Sequence, residues 1–482
     1  MKHKIRKQMR KAAIILFWLA VWQIAAVWTD NHILLVGPVQ VLETLAQNIM
    51  QPDFLKIVLH SFVRIGLGFF TALVVGLILG AVNYRFPIVE EMSAPVIATL
   101  KSIPVASFVV LLLIWFGSSK LSFFVSFLIV FPNVYVNMLS GLKSVDIKLK
   151  EMARVFGMGT TARLLYIYRP ALMPYMNSCL KISLGMSWKS GIAAEVIGLP
   201  DYSMGERLYM SKIYLDTAGL FSWTLLIVLV SFLFEKAVLK LVKIFGEWRP
   251  YPIPAAGDNK TAGPAETVDT VQISHIGKSY GESAVLRDFS LTMEKGQRYL
   301  LMAPSGVGKT TLLRVLTGLD SPDGGTITGM PLHAGMVFQE DRLCEEYDAV
   351  CNIMLGITRG VRDDKKNGGH DMGRSRFVDF VRKEASVILP EECLTKPVKE
   401  LSGGMRRRVA ILRAVLSPSD ILILDEPFAG LDEENRVRCA AYLLDHLEGR
   451  TLVITTHRED DVELLKGVKV TLVFSKSLCY NA

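Results

Sequence analysis

An N-terminal all-α polytopic membrane domain followed by a C-terminal α/β phosphate-loop domain is the fold class this chain of 482 residues predicts. Three observations carry it. All seven tryptophans (Trp18, Trp22, Trp28, Trp115, Trp188, Trp223 and Trp248) and the long apolar runs fall before residue 250. Basic residues sit beside those runs on one side of a bilayer. After residue 270 a glycine-rich phosphate loop, Ala303–Thr311, follows a short apolar strand, and a second apolar strand ends in the carboxylates Asp425 and Glu426. The mean hydropathy of +0.34 therefore averages two unlike regions. The boundaries read from this pattern are 1–249 for the membrane domain, 250–270 for a linker and 271–482 for the nucleotide-binding domain.

A helix needs about twenty mostly apolar residues to cross a bilayer. Six candidates follow: Ala12–Trp28, Ile65–Val82, Val105–Gly117 (with its start nearer Ala94), Leu121–Leu139, Leu180–Gly198 and Ala218–Leu239. The first is too long for a signal peptide and lacks a clear small-residue cleavage site, so it reads as a retained span. About six spans put both ends on one side. Lys2, Lys4, Arg6, Lys7, Arg10 and Lys11 make that side cytoplasmic. The basic segments Lys143–Arg163 and Lys236–Arg249 fall on the same side. The net charge of +8 is thus positive-inside charge and not a nucleic-acid footprint. Lys181, Lys189 and Glu195 lie in or near the weak fifth span, as pathway groups or as side chains snorkelling from helix ends. The six cysteines show no metal spacing and read as reduced thiols.

Arg249-Pro-Tyr-Pro-Ile-Pro254 opens the linker, a partly stiff and partly flexible tether. Beyond it, Tyr299–Met302 reads as a strand and Thr311–Leu316 as a helix start. The loop between them, with Ser305, Gly306, Val307, Gly308, Lys309, Thr310 and Thr311, offers backbone amides and a helix N-terminus to nucleotide phosphates. Lys309 adds a mobile positive charge, and the Thr310 hydroxyl suits Mg2+. Ala303 stands where a glycine is usual, which its methyl tolerates if φ is negative. Asp425 suits the same Mg2+ shell, and Glu426 is placed to take a proton from an attacking water. Residues 360–375 read as a polar surface loop with a solvated His370.

The second half closely resembles the ABC transporter ATPases. Leu401-Ser-Gly-Gly-Met405 resembles their signature, Val337-Phe-Gln-Glu340 their Q-loop, Gly430-Leu-Asp432 their D-loop and Thr455-Thr-His457 their switch region. The resemblance implies that Tyr280 stacks on adenine, that Gln339 senses Mg2+ and water, and that His457 sits near the γ-phosphate. It implies that Ser402, Gly403 and Gly404 bind ATP held by the opposite subunit. In the first half, Glu151-Met-Ala-Arg-Val-Phe-Gly157, followed by Arg169-Pro-Ala-Leu-Met-Pro174, resembles the "EAA" coupling segment of bacterial ABC importers. There Met152 replaces the usual alanine, while Glu151, Ala153 and Gly157 match. Ile103–Ser107, Trp115–Gly117 and Ala194–Gly198 resemble the permeases for taurine, alkyl sulfonates, nitrate and thiamine-pyrimidine precursors.

Together these imply a type I importer-like permease fused to its ATPase. The expected cofactors are ATP and Mg2+. The expected partners are a second copy of the chain, an extracytoplasmic substrate-binding protein, a small solute and the lipid bilayer. The expected location is the bacterial cytoplasmic membrane, with the ATPase in the cytosol. An exporter, which also places permease before ATPase, and a regulatory ABC protein that moves nothing are the alternatives. No residue names the solute.

Overall fold

The computed structural model describes residues 2–29, 31, 33–252, 270–304, 306–331, 334–357 and 374–471. The chain divides into two units. One comprises Met1–Ser144 and Ala171–Trp248; the other comprises Val145–Pro170 and Arg249–Ala482. The coupling segment thus groups with the nucleotide-binding half. Most of the linker, residues 253–269, lies outside the described residues, as do Ser305, His370 and Cys479.

In chain order the helices through residue 247 are α1 (Lys2–Thr29), α2 (Pro38–Ile49), α3 (Phe54–Arg85), α4 (Pro87–Ser102), α5 (Val105–Phe116), α6 (Ser118–Lys143), α7 (Ile147–Val155), α8 (Thr160–Arg163), α9 (Arg169–Gly198), α10 (Met204–Ile213) and α11 (Thr217–Glu247). Among the described residues α3 and α6 are by themselves long and apolar enough to cross a membrane. The α4–α5 pair makes a third if it counts as one span. The expected third span is corrected here: it is not a single helix beginning near Ala94 but two helices bent by 103°. Pro104 is the cause, because it drives Ile103 into extended backbone (φ −71°, ψ 130°) and ends α4 there. By length and hydropathy alone, six spans are not reached among the described residues, where Ala13–Thr29 of α1 is a shorter apolar helix.

Inside the first unit, α3 packs closely on α6. Gly68, Ala72, Gly76 and Gly80 recur every fourth residue and are buried. A Cβ at Gly68 would meet Phe123 O at 2.4 Å, and one at Gly76 would meet Val134 Cγ1 at 2.8 Å. Small residues let helices approach where lipid supplies no hydrophobic drive between them. Polar side chains add cross-links: Asn83 Nδ2 donates to Tyr135 Oη at 2.8 Å, and the Ser126 and Ser187 hydroxyls are 2.6 Å apart. Glu195 is fully buried; its carboxylate accepts from the Ser61 hydroxyl at 2.7 Å and from Gly205 N at 3.2 Å. It therefore ties the start of α10 to α3. Lys181 and Lys189 are exposed in this unit.

The second unit holds β1 (Thr270–Tyr280), β2 (Ser283–Glu294), β3 (Arg298–Met302), α12 (Lys309–Leu316), β4 (Gly324–Thr328), β5 (Ala334–Val337), α13 (Ala349–Gly356), α14 (Arg374–Ser386), α15 (Gly403–Val415), β6 (Ile421–Asp425), α16 (Glu433–Asp445), β7 (Thr451–Thr456), α17 (Asp460–Leu465) and β8 (Val468–Thr471). An antiparallel sheet runs β2-β1-β4, and a parallel sheet runs β5-β6-β7-β3-β8. Strands β3, β5, β6 and β7 are apolar and almost wholly buried, as strands covered on both faces must be. Parallel pairing brings their C-terminal ends to one edge. Met302 lies beside Thr456, and Asp425 beside Thr455.

Candidate functional site

Four neighbouring strand ends deliver the predicted nucleotide-site residues to one edge, the usual ligand position in such sheets. β3 leads into the phosphate loop, β7 into Thr455–His457, β6 into Asp425–Glu426 and β5 into Gln339. In the loop, positive φ falls at Gly306 (83°) and Gly308 (100°), and Ala303 is not among the positive-φ residues. The alanine is therefore accommodated. At Gly308 a side chain is excluded twice, by φ and because a Cβ would meet Val285 Cγ1 at 2.8 Å. Gly308 caps α12, so the helix N-terminus opens into the loop. Lys309 is buried, and its Nζ donates to Ala303 O at 2.6 Å. Val307 is partly buried, Thr310 is exposed and Thr311 partly buried.

The acidic pair is held differently at its two positions. Asp425 is buried and accepts from the Thr310 hydroxyl at 2.9 Å and the Thr455 hydroxyl at 2.6 Å. Glu426 has a left-handed backbone, φ 49°. For a residue with a Cβ that costs about 1–2 kcal/mol. The backbone is fixed by Glu426 N donating to Thr455 O and Oγ1, both at 3.1 Å. The turn carries the Glu426 side chain out of the buried strand, where Oε1 lies 3.8 Å from His457 Nδ1. His457 and Gln339 are exposed.

Arg407, which sequence reasoning missed, organises this edge. Its guanidinium donates to the carbonyls of Phe338 (2.6 Å), Asp425 (2.7 Å), Glu426 (2.7 Å) and Pro427 (3.0 Å), and to Asp341 Oδ1 at 3.2 Å. Burial pushes its pKa down, opposed by Asp341, Asp425 and Glu426. One side chain thus joins the end of β5 to the end of β6. Its sequence signal was the run Arg406-Arg-Arg408, which with Arg413 interrupts an otherwise uncharged helix.

The signature residues begin α15. Ser402 is its N-cap, with its hydroxyl accepting from Met405 N at 3.4 Å. Ser402 and Gly403 are exposed, and Gly404 lies beside the Gly430 carbonyl of the D-loop. Asp432 caps α16 by accepting from Asn435 N.

Tyr280 ends β1, and its hydroxyl donates to Asp320 Oδ2 at 2.6 Å. Burial and then Asp320 raise its pKa. Asp320 also receives Arg314 of α12, at 2.8 and 3.1 Å. The other side of Arg314 meets the coupling segment: its two terminal nitrogens donate to Glu151 at 2.8 and 3.0 Å. Arg342 adds a third bond to Glu151 at 2.6 Å. The Arg314 hydrogen bond, with Arg342, holds the Glu151 carboxyl below its ordinary range despite partial burial. Around it α7 buries Met152, Ala153 and Val155; Gly157 then turns the chain at φ 60°. Phe156 lies under the Arg413 guanidinium, 5.1 Å from its ring centre. Lys148 pairs with Glu340, next to Gln339, at 2.7 Å. Sequence matching found Glu151, but nothing in it pointed to Arg314 or Arg342.

The chain matches two family models: the ABC transporter over residues 286–429, and the binding-protein-dependent transport system inner membrane component over residues 72–243. The taurine import ATP-binding protein TauB of Pseudomonas aeruginosa (strain UCBPP-PA14) is 35% identical over 192 residues, which are 38% of this chain and 69% of that protein. The aliphatic sulfonates import ATP-binding protein SsuB 1 of Rhodococcus jostii (strain RHA1) is 35% identical over 210 residues, 42% of this chain and 78% of that protein. A solved dimeric ATP-binding cassette in a post-hydrolysis state, bound to ADP and Pi, aligns at 25% identity and a TM-score of 0.38, covering 42% of this chain and 94% of its own. The chain belongs to the ABC transporter family. It is a membrane protein that joins a binding-protein-dependent permease to a nucleotide-binding ATPase, and couples ATP hydrolysis to import. The exporter and regulatory readings are not favoured.

Proposed function

We propose that this ABC importer works as a homodimer in a bacterial cytoplasmic membrane, ATPase to the cytosol, and takes a small anionic solute from an extracytoplasmic binding protein. Residues 1–249 form the permease, with about six spans, residues 250–270 the linker and residues 271–482 the ATPase. Taurine or another aliphatic sulfonate is the first solute to test, since the relatives that match the ATPase half are named for those imports. Nitrate and pyrimidine vitamin precursors come next, on the resemblance of the permease segments.

In this reading Tyr280 stacks on adenine. The loop amides of Ser305–Thr311, with Lys309, hold the β- and γ-phosphates. Glu426 takes the proton of the attacking water, Gln339 orients that water, and His457 contacts the γ-phosphate. The oxygen donors fit a hard cation: the Thr310 hydroxyl is 2.9 Å from the Asp425 carboxylate at the loop mouth. Thr310, Asp425 and Gln339 would hold Mg2+, which neutralises phosphate charge when bound. The partner subunit's Ser402, Gly403 and Gly404 complete each ATP site, so two ATPs close two chains face to face. Closure moves the Glu151, Ala153 and Gly157 segment and alternates access through the permease.

The observation that carries the reading is the grip of Arg314 on Glu151. Arg314 stands on the helix that starts at the phosphate loop. A change at the nucleotide therefore reaches the coupling segment through one rigid helix. The test is the ATPase rate in proteoliposomes with candidate binding proteins loaded with taurine, an alkanesulfonate, nitrate or a pyrimidine. Stimulation and uptake with one loaded protein are expected. A high basal rate indifferent to all of them would withdraw the importer assignment.

A further inference from the structure

The first residues of the linker are not a passive tether. Arg249 donates to the Glu346 carbonyl and, at 3.2 Å, to its carboxylate. Its guanidinium lies 6.0 Å from the Tyr347 ring centre. Tyr251 donates its hydroxyl to Asp348 Oδ2 at 2.7 Å and packs its ring against the ATPase core. Pro252 is buried. Burial and the Asp348 carboxylate push the Tyr251 hydroxyl up to about 12, so it stays a donor.

The four residues Glu345–Asp348 that receive this segment have two other attachments. On one side they hold the second part of the coupling segment. Tyr347 Oη accepts from Arg169 at 2.8 Å and donates to Leu165 O at 2.9 Å, while the Tyr166 ring packs edge-on against it at 5.2 Å. The Tyr166 hydroxyl in turn donates to Pro250 O at 2.9 Å, which joins linker and coupling segment directly. On the other side they pair with the chain that enters the signature. Val398 N donates to Tyr347 O at 2.9 Å, Asp348 bridges to Pro397, and Lys399 binds both Glu346 oxygens at 2.9 Å. Ser402 follows three residues later.

We propose that Arg249–Pro252 is a second docking element: it ties the ATPase to the permease half of its own chain and acts on the Glu345–Asp348 loop that feeds the Ser402 helix. The reason is entropic. A tether that only raised local concentration would gain nothing by ordering its first residues, since ordering costs conformational freedom and proximity needs no contacts. Here an arginine hydrogen-bonded to Glu346, a buried proline and a tyrosine with a committed hydroxyl fix those residues. They fix them on the loop where the coupling segment and the chain entering the signature already meet.

The proposal rests on the importer reading only for its transport readout. The test uses the full chain with a protease site placed between residues 257 and 268. After cleavage the parent should keep its ATPase fragment through washing. Cleaved Arg249→Ala/Tyr251→Phe, which spares the packed ring, should release it about tenfold faster, because lost contacts act mainly on the off-rate. In the uncut chain the same variant should hydrolyse ATP but import less solute per ATP. Equal release from the two cleaved proteins, with equal solute per ATP in the uncut ones, overturns the proposal. A parent that keeps its fragment but imports none of the candidate solutes counts against the importer assignment and leaves the docking intact.

Discussion

Two helices in the ATPase half begin with the same device, and their surroundings could hardly differ more. α12 follows a glycine-rich turn and α15 opens on Gly403-Gly404, and each starts with first-turn backbone amides that have no partner within the helix. At α12 the strand ends crowd in: Thr310, Asp425, Thr455 and Glu426 are linked by hydrogen bonds, and Lys309 binds the Ala303 carbonyl beside them. At α15 the Ser402 hydroxyl caps its own helix, and Ser402 and Gly403 face solvent. One end is furnished with charge and a candidate base; the other is an exposed helix start with no charged group joined to it by its cap. Under the proposed function the contrast makes them two half-sites of unlike kind, which a second chain would complete.

The largest expected effect tests the furnished end. Glu426→Gln keeps the turn and removes the base, so ATP should still bind while turnover falls by about 10²–10⁴. Near-normal hydrolysis would reassign Glu426. The bare end is tested by mixing chains. A dimer of one Lys309→Ala chain with one Gly403→Asp chain keeps one intact composite site and should trap nucleotide there. Both lesions on one chain beside a parent chain should leave none. The reverse pattern, read by nucleotide trapped per dimer, would mean each chain's signature serves its own phosphate loop.

Stability at the furnished end depends on Arg407. Arg407→Met strands the buried carbonyls of Phe338, Asp425 and Glu426 and should cost about 3 kcal/mol, read as a lowered denaturation midpoint. Glu151→Ala should leave basal hydrolysis in place and reduce solute moved per ATP. For this partly exposed pair the docking loss is about 1 kcal/mol, or several-fold. The smallest effect is with pH. The Glu151 carboxyl is held below its ordinary value, so its contribution is full above the normal carboxylate range and fades only as pH falls through the depressed value. Coupling should therefore be flat from about pH 6 to 8 as far as Glu151 is concerned. A loss near pH 6.5 would point to a histidine instead.

Much of the site was legible because its chemistry demands particular residues at short spacing. The glycines of the phosphate loop, the acidic pair after an apolar strand and the helix-starting Ser402-Gly-Gly404 are each local signals. The membrane half was less legible. The Pro104 break turned an expected single helix into a bent pair, and the Gly68–Gly80 ladder was hidden inside a uniformly apolar run. Arg314, Arg342 and Arg407 were invisible for a different reason. A surface arginine and a buried arginine look alike in a sequence, and the carboxylates and carbonyls that decide between them lie far along the chain.

Taken alone, the amino-acid order determined the class of each half, and it supplied the sidedness and the nucleotide-contacting residues as proposals, because periodicity, charge and loop glycines act over a few residues. Tertiary structure alone decided that Glu151 is gripped by two arginines, that Arg407 binds two strand ends together, and that the linker begins as an anchored segment on Glu345–Asp348. Those are meetings between residues roughly 100 to 190 positions apart in the case of Glu151 and the linker. Only the parallel sheet and the loops it positions bring them within hydrogen-bonding distance.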